Sequence, residues 1–175
     1  LFEDLSTVEE ILEANRDVVV IVDEAYVDFG GESCLPLLEK YDNLLVVQTF
    51  SKSRSMAGLR IGFCIGSEKM IKYLNDVKFS INSYTMNMPS QVMAVEAVRD
   101  DAYFKSVTEK IIATRERVKK EMAELGFTFP DSKTNFIFAS HKTVPAKEIF
   151  EALREQDIYV RFWNKPVISD YLRIT

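Results

Sequence analysis

The chain has 175 residues, of which 47% are hydrophobic and 28% charged, with a net charge of -5. That is globular composition, with room for one ample domain or one domain plus a smaller partner. The acidic balance argues against a nucleic-acid surface, and no apolar stretch approaches the roughly 20 residues of a membrane span.

The elements follow in chain order. Ser6 or Thr7 is placed to N-cap a helix over 7–15, with Glu9 and Glu10 in its positive first turn. Residues 18–22 are an unbroken β-branched run ending at Asp23. A strand apolar on both faces suits the interior of a parallel sheet. Residues 44–47 form a second such run, and 61–65 a third bounded by glycines. Ser67 caps a helix near 68–76, and Pro89 suits the first turn of a helix over 88–99. Asp101 opens the longest helical pattern, with Val107, Ile111, Val118, Met122 and Leu125 on its apolar face and Gly126 as its stop. Beyond it, 127–129, 135–139, 158–161 and 171–175 read as strands, with a helix from Pro145 to about 156.

The pattern predicts an α/β chain. Residues 1–100 form part of a mainly parallel, three-layer large domain, and 101–175 a small α+β domain. Three buried-type strands with few helices leave sheet surface uncovered. Cover is expected from upstream, because the chain opens at Leu1 ahead of a helix signal. It stops inside a strand pattern at Thr175, so both ends read as cut. Cys34, Cys64 and His141 have no zinc-ligand spacing, so no metal is expected. The few cysteines fit a reducing, cytoplasmic compartment.

Two segments carry chemistry. Asp23 closes an apolar strand, and ligands of open α/β sheets bind beyond the carboxyl ends of strands. A carboxylate there suits Mg²⁺ in a P-loop ATPase or the ring nitrogen of pyridoxal phosphate (PLP), or simply caps a loop. The second segment, Gln48-Thr49-Phe50-Ser51-Lys52, puts a lysine just past another strand end, with Arg60 eight residues on. A partly desolvated lysine amine attacks aldehydes. Ser51 and Ser53 offer hydroxyls to a phosphate, Arg60 offers a guanidinium, and Gly58 allows close backbone approach. A lone loop lysine is usually just solvated, but this grouping favours function. No G-x-x-x-x-G-K-[ST] loop supports the ATPase reading.

Asp23-Glu24-Ala25-Tyr26 with Phe29, Thr49-Phe50-Ser51-Lys52, Ala57-Gly58-Leu59-Arg60-Ile61-Gly62 and the terminal Tyr171-Leu172-Arg173-Ile174-Thr175 resemble the signature of class I/II, fold-type I aminotransferases. The order is that of the histidinol-phosphate aminotransferase family. The resemblance implies PLP as cofactor and Lys52 as its Schiff-base lysine and proton shuttle. It implies Asp23 on the ring nitrogen, Tyr26 on the 3-hydroxyl, and Ser51 and Arg60 on the phosphate. Arg173 would bind the acidic end of the substrate, Arg161 its phosphate, and Asn135 would lie near the substrate mouth. It further implies an anionic amino donor with a 2-oxo acid (histidinol phosphate and 2-oxoglutarate) and a homodimer, for which the apolar segment 79–88 suits an interface or a core.

The chain departs from the family pattern at Ser53-Arg54-Ser55-Met56, where Arg54 adds charge beside Lys52. The family's upstream asparagine, phosphate loop and ring-stacking aromatic are not in this sequence. The 175 residues are therefore expected to be inactive alone and to bind PLP poorly. A decarboxylase or aromatic aminotransferase of the same fold, and a non-catalytic module, are the competing readings.

Overall fold

The β-branched run after Asp17 becomes strand β1 (Val20–Asp23), in a computed structural model that describes residues 3–175. It pairs in parallel with β2 (Leu44–Thr49), and β2 pairs antiparallel with β3 (Gly62–Gly66). The sheet order is β1-β2-β3, so β2 is central and its Leu44, Leu45 and Val46 are buried. One of the two pairings is thus parallel and the other antiparallel. The expectation that 18–22 is covered on both faces is not met within this chain. Val20 and Val22 pack on the core, while Ile21 stays 62% exposed.

Helix α1 (Leu5–Ala14) covers the other side of that core. Its Val8 and Leu12 join Leu37, Tyr41, Leu44 and Val46 in one buried cluster. A fully buried leucine such as Leu12 contributes about 1.5–3 kcal/mol. The helix starts two residues earlier than the serine and threonine suggest, with Asp4 at the N-cap position. A 3-10 turn, Val27–Phe29, follows β1 and drives Phe29 to complete burial. Gly66 must be glycine for packing, since a Cβ there would sit 2.9 Å from Leu45 Cδ1 and 3.2 Å from the Leu44 carbonyl.

Helices α2 (Glu68–Ile81), α3 (Met88–Arg99) and α4 (Asp101–Glu124) follow. Asn87 caps α3 by accepting the Ser90 amide at 2.9 Å, and Pro89 occupies its first turn. The apolar side chains of 79–88 are largely open, with Tyr84 93% exposed.

The described residues divide into two units, Glu3–Val107 and Thr108–Thr175, with the division inside α4 where the sequence suggested its start. The second unit is a four-stranded antiparallel sheet, order β4-β5-β7-β6. Its strands are β4 (Phe127–Thr128), β5 (Ile137–His141), β6 (Arg161–Phe162) and β7 (Leu172–Ile174), and α5 (Ala146–Arg154) lies between β5 and β6. Met122 and Val118 of α4 pack on Ile137, Ala139 and Ile174, whereas Leu125 is exposed.

The strands are shorter than the sequence patterns, because neighbouring turns take their amides. The Phe136 amide goes to Thr134 Oγ1, the Ile158 amide back to the Leu153 carbonyl, and the Tyr171 amide to the Ile168 carbonyl. A donor used in a turn is lost to the ladder.

Candidate active site

The parallel register pairs Asp23 with Val47, so the carboxyl ends of β1 and β2 lie side by side. The Glu24 amide donates to the Val47 carbonyl at 2.8 Å, which carries the pairing one residue past the strand. Asp23 is exposed there, with Oδ1 accepting the Ala25 amide at 3.0 Å. Beyond β2 the chain makes a closed turn: the Met56 amide returns to the Phe50 carbonyl at 3.0 Å and the Ser55 amide to the Lys52 carbonyl at 3.1 Å. From this turn the Lys52 amine reaches over the Tyr26 ring, 5.7 Å from its centre. The turn after β1 and the turn after β2 therefore meet through the side chains of Tyr26 and Lys52.

The neighbours of Lys52 are each committed. Ser51 Oγ lies 2.9 Å from Thr49 Oγ1, which also reaches the Ile61 carbonyl at 3.1 Å. Ser53 is buried and gives its hydroxyl to Asp28 Oδ2. The hydroxyl that the sequence offered to a phosphate is thus spent on Asp28 in this structure. Arg54 also has an inward task. Its guanidinium lies 4.0 Å from the Phe104 ring centre and donates to the Ala97 carbonyl near the end of α3. Arg60 adopts a left-handed conformation, φ 56°, with its guanidinium exposed and one N–H on the Ala57 carbonyl at 2.6 Å. Gly58 meets nothing within 4 Å of a Cβ position, so no part of the chain exploits its small size.

Glu24, the residue after Asp23, was not singled out by the sequence. It is buried, and its carboxylate accepts from the Ser33 hydroxyl (2.8 Å), the Gln48 amide (2.8 Å) and the Cys34 backbone amide (2.5 Å). Burial, with Glu24 beside it, pushes the Cys34 thiol up to about 11. The sequence signal was an acid directly after a strand-end aspartate, at a position that alternation alone reads as a loop.

The unit Thr108–Thr175 holds the other three candidates. Arg161 and Arg173 face each other across β6 and β7. Their guanidinium carbons lie 5.3 Å and 5.7 Å from the centre of the Trp163 ring, and that of Arg173 lies 5.4 Å from Phe136. Arg173 Nε is buried without a hydrogen-bond partner among the described residues. Two directly opposed cations repel, and an unsatisfied buried N–H costs free energy; an oxyanion relieves both. Trp163 and Phe136, unremarked in the sequence, form the aromatic floor. Asn135 lines a cavity of about 470 Å³ with Lys110, Ile111 and Thr114 of α4, with Ile174, and with the Phe136 that Arg173 overlies. Neither Arg161 nor Arg173 lines it. Arg115, buried, donates to the Thr134 carbonyl at 2.8 Å, and Ser132 and Thr134 brace the loop that carries Asn135.

The donor set at the β1 and β2 ends fits PLP. It offers a primary amine for the aldehyde, a carboxylate for the ring nitrogen, a phenol for the ring hydroxyl, and a hydroxyl with a guanidinium for the phosphate. Asp23, Tyr26, Ser51, Lys52 and Arg60 all belong to Glu3–Val107.

Known proteins resemble this chain over nearly its whole length. Histidinol-phosphate aminotransferase of Lactococcus lactis subsp. cremoris (strain MG1363) is 54% identical over 171 residues, covering 98% of this chain and 48% of the relative. The solved histidinol-phosphate aminotransferase of Sinorhizobium meliloti, in complex with pyridoxal-5'-phosphate, superposes with a TM-score of 0.85 at 25% identity, over 99% of this chain and 48% of that one. The one from Clostridium acetobutylicum gives 0.88 at 20% identity, over 98% and 54%, which speaks for the fold. The chain spans about half the length of the curated relatives it matches. The family model for aminotransferase class I and II matches residues 3–175, and the chain belongs to that family.

Proposed function

We propose that the protein containing this chain is a PLP-dependent aminotransferase that moves the amino group of histidinol phosphate to 2-oxoglutarate. The observation that carries the reading is the Lys52 amine held over the Tyr26 ring, beyond the same strand ends that present Asp23. The identity to the Lactococcus relative supports the choice of substrate.

Bound PLP supplies an electron-accepting ring that stabilises a carbanion. Asp23 would hold the protonated ring nitrogen, and Tyr26 would donate to the ring hydroxyl. Ser51 and Arg60 orient the phosphate. Lys52 would hold the cofactor through its primary amine and, as general acid and base, would move a proton at Nζ. Arg161 and Arg173 bind the anionic ends of the substrate, held flat against Trp163. Asn135 contacts the substrate at the mouth. The protein works as a homodimer in the cytoplasm, with the exposed apolar segment 79–88 at the subunit contact. The 175 residues alone span about half of the relatives, and on this reading they bind PLP weakly and do not turn over.

The test is borohydride trapping with PLP, followed by peptide mass spectrometry, on this chain and on a longer protein containing it. A trapped pyridoxyl group on Lys52 of the longer protein, together with amino transfer from histidinol phosphate, is expected. The Lys52→Ala variant should lose both. Transfer that survives Lys52→Ala would sink the proposal, and full turnover by the 175 residues would sink its last part.

A further inference from the structure

We infer that Asp28 is a positioning residue for Lys52, acting through the hydroxyl of Ser53. The inference rests on the proposed role of Lys52. Among 51–54 only Lys52 is exposed, while Ser53 is buried and Ser51 and Arg54 are half-buried. The turn is pinned on three sides. Ser51 is tied to Thr49, Arg54 to Ala97 and Phe104, and Ser53 to Asp28. The first two ties fasten the turn to its own strand and to a helix. Of these three ties, it is the one to Asp28 that fastens the turn to the segment after β1, which carries Tyr26 and follows directly on Asp23.

The geometry of that segment suits the task. Asp28 lies in the 3-10 turn Val27–Phe29, anchored by the fully buried Phe29. The Phe29 amide bonds the Tyr26 carbonyl at 3.1 Å, and the Gly31 amide bonds the Val27 carbonyl at 2.9 Å. Two residues upstream, Tyr26 lies under the Lys52 amine. One rigid turn thus holds both the ring beneath the amine and, through Ser53, the backbone next to it. A hydrogen bond to an ionised carboxylate is about twice as strong as a neutral one. Placed one residue from Lys52, it restrains the backbone from which the amine extends. Glu24 braces the same pair of segments from the other end, through Gln48 of β2.

The experiment uses the intact chain, its Asp28→Ala, Asp28→Asn, Ser53→Ala and Ser53→Thr variants, and the double variant D28A/S53A. Two quantities are read. The first is hydrogen exchange of the Ser55 amide, which bonds the Lys52 carbonyl. The second is the share of borohydride-trapped PLP found on Lys52, relative to the other lysines at millimolar PLP, as a function of pH. Asp28→Ala and Ser53→Ala should each speed Ser55 exchange about tenfold and cut the Lys52 share about threefold or more. The double variant should do no worse than either single, the mark of one shared interaction. Ser53→Thr, which keeps the hydroxyl, should restore both, and Asp28→Asn, which keeps an acceptor oxygen, should restore them in part.

Unchanged Ser55 exchange overturns the inference. So does a rise in exchange spread evenly over β1, β2 and α1, which would mark Asp28 as a general stabiliser. An unchanged Lys52 share overturns it too. No selectivity for Lys52 in the unsubstituted chain, with Ser55 responding as described, sinks the PLP reading while leaving the tie between Asp28 and the Lys52 turn in place.

Discussion

Arg161 and Arg173 occupy directly opposed positions on antiparallel strands, and both guanidinium groups lie within 6 Å of the Trp163 ring centre. Like charges facing each other across a ladder destabilise it by about 0.2–1 kcal/mol. The ring face offsets part of that repulsion, but Arg173 Nε still has no acceptor among the described residues.

The pair therefore predicts stabilisation by anions. Inorganic phosphate at about ten times its dissociation constant should raise the melting midpoint of the chain by roughly 3–6 °C over chloride of equal ionic strength. Arg161→Ala should abolish that shift while leaving the midpoint in chloride equal or slightly higher. Differential scanning calorimetry in the two salts reads both. A phosphate shift that survives Arg161→Ala would place the anion elsewhere.

Gly126 ends α4 with φ +92°, and a Cβ there would come within 3.0 Å of His141 Nε2. That nitrogen meets the Leu125 carbonyl at 2.9 Å, while Nδ1 accepts the Val144 amide at 3.0 Å. The ring thus clamps the helix end to the end of β5. Gly126→Ala combines a strained backbone with displacement of that ring. It should cost about 1–3 kcal/mol in urea denaturation, with no effect on PLP trapping at Lys52.

Cys34 is the less reactive thiol. With its pKa pushed up to about 11, it is roughly one part in a thousand thiolate at pH 8. It is also buried, whereas Cys64 is half-buried. Iodoacetamide at pH 8 should label Cys34 about a hundredfold more slowly in the folded chain than in urea. Because the folded pKa is raised, the protonated thiol favours folding below the ordinary thiol range. That contribution fades as pH climbs toward 11. Equal labelling in the two states would contradict the buried placement beside Glu24.

The contact between α1 and Tyr41 predicts an acid limb. Lys40 and Tyr41 hold the Glu9 carboxyl below its ordinary value, and Arg16 and Tyr41 do the same for Glu13. Tyr41, buried, reaches the Glu13 carboxylate at 2.7 Å and that of Glu9 at 3.0 Å. Depressed carboxyls stabilise the fold above the unfolded value near 4.5, and the benefit is lost as pH falls through the folded values. The melting midpoint should fall between pH 5 and about pH 3, less steeply in Tyr41→Phe. A midpoint independent of pH over that range would show that these bonds contribute nothing to the folded state.

The sequence by itself determined the class of element at nearly every place, because periodicity is a local property. Apolar runs gave β1, β2 and β3, and amphipathic spacing gave the helices. It also marked the candidate residues at the strand ends, since an aspartate and a lysine closing two apolar runs can be read without coordinates. Strand limits escaped it: whether the amide of Phe136, Ile158 or Tyr171 serves a ladder or a turn depends on which acceptor the fold brings near. Only the tertiary structure showed that Ser53 and Arg54 turn to Asp28 and Ala97, partners 25 and 43 residues away. The same holds for Trp163 beneath two arginines, and for Glu24, which is buried. A hydrogen bond between distant segments is decided by their approach in space, and a residue's type fixes only that it has something to donate or accept.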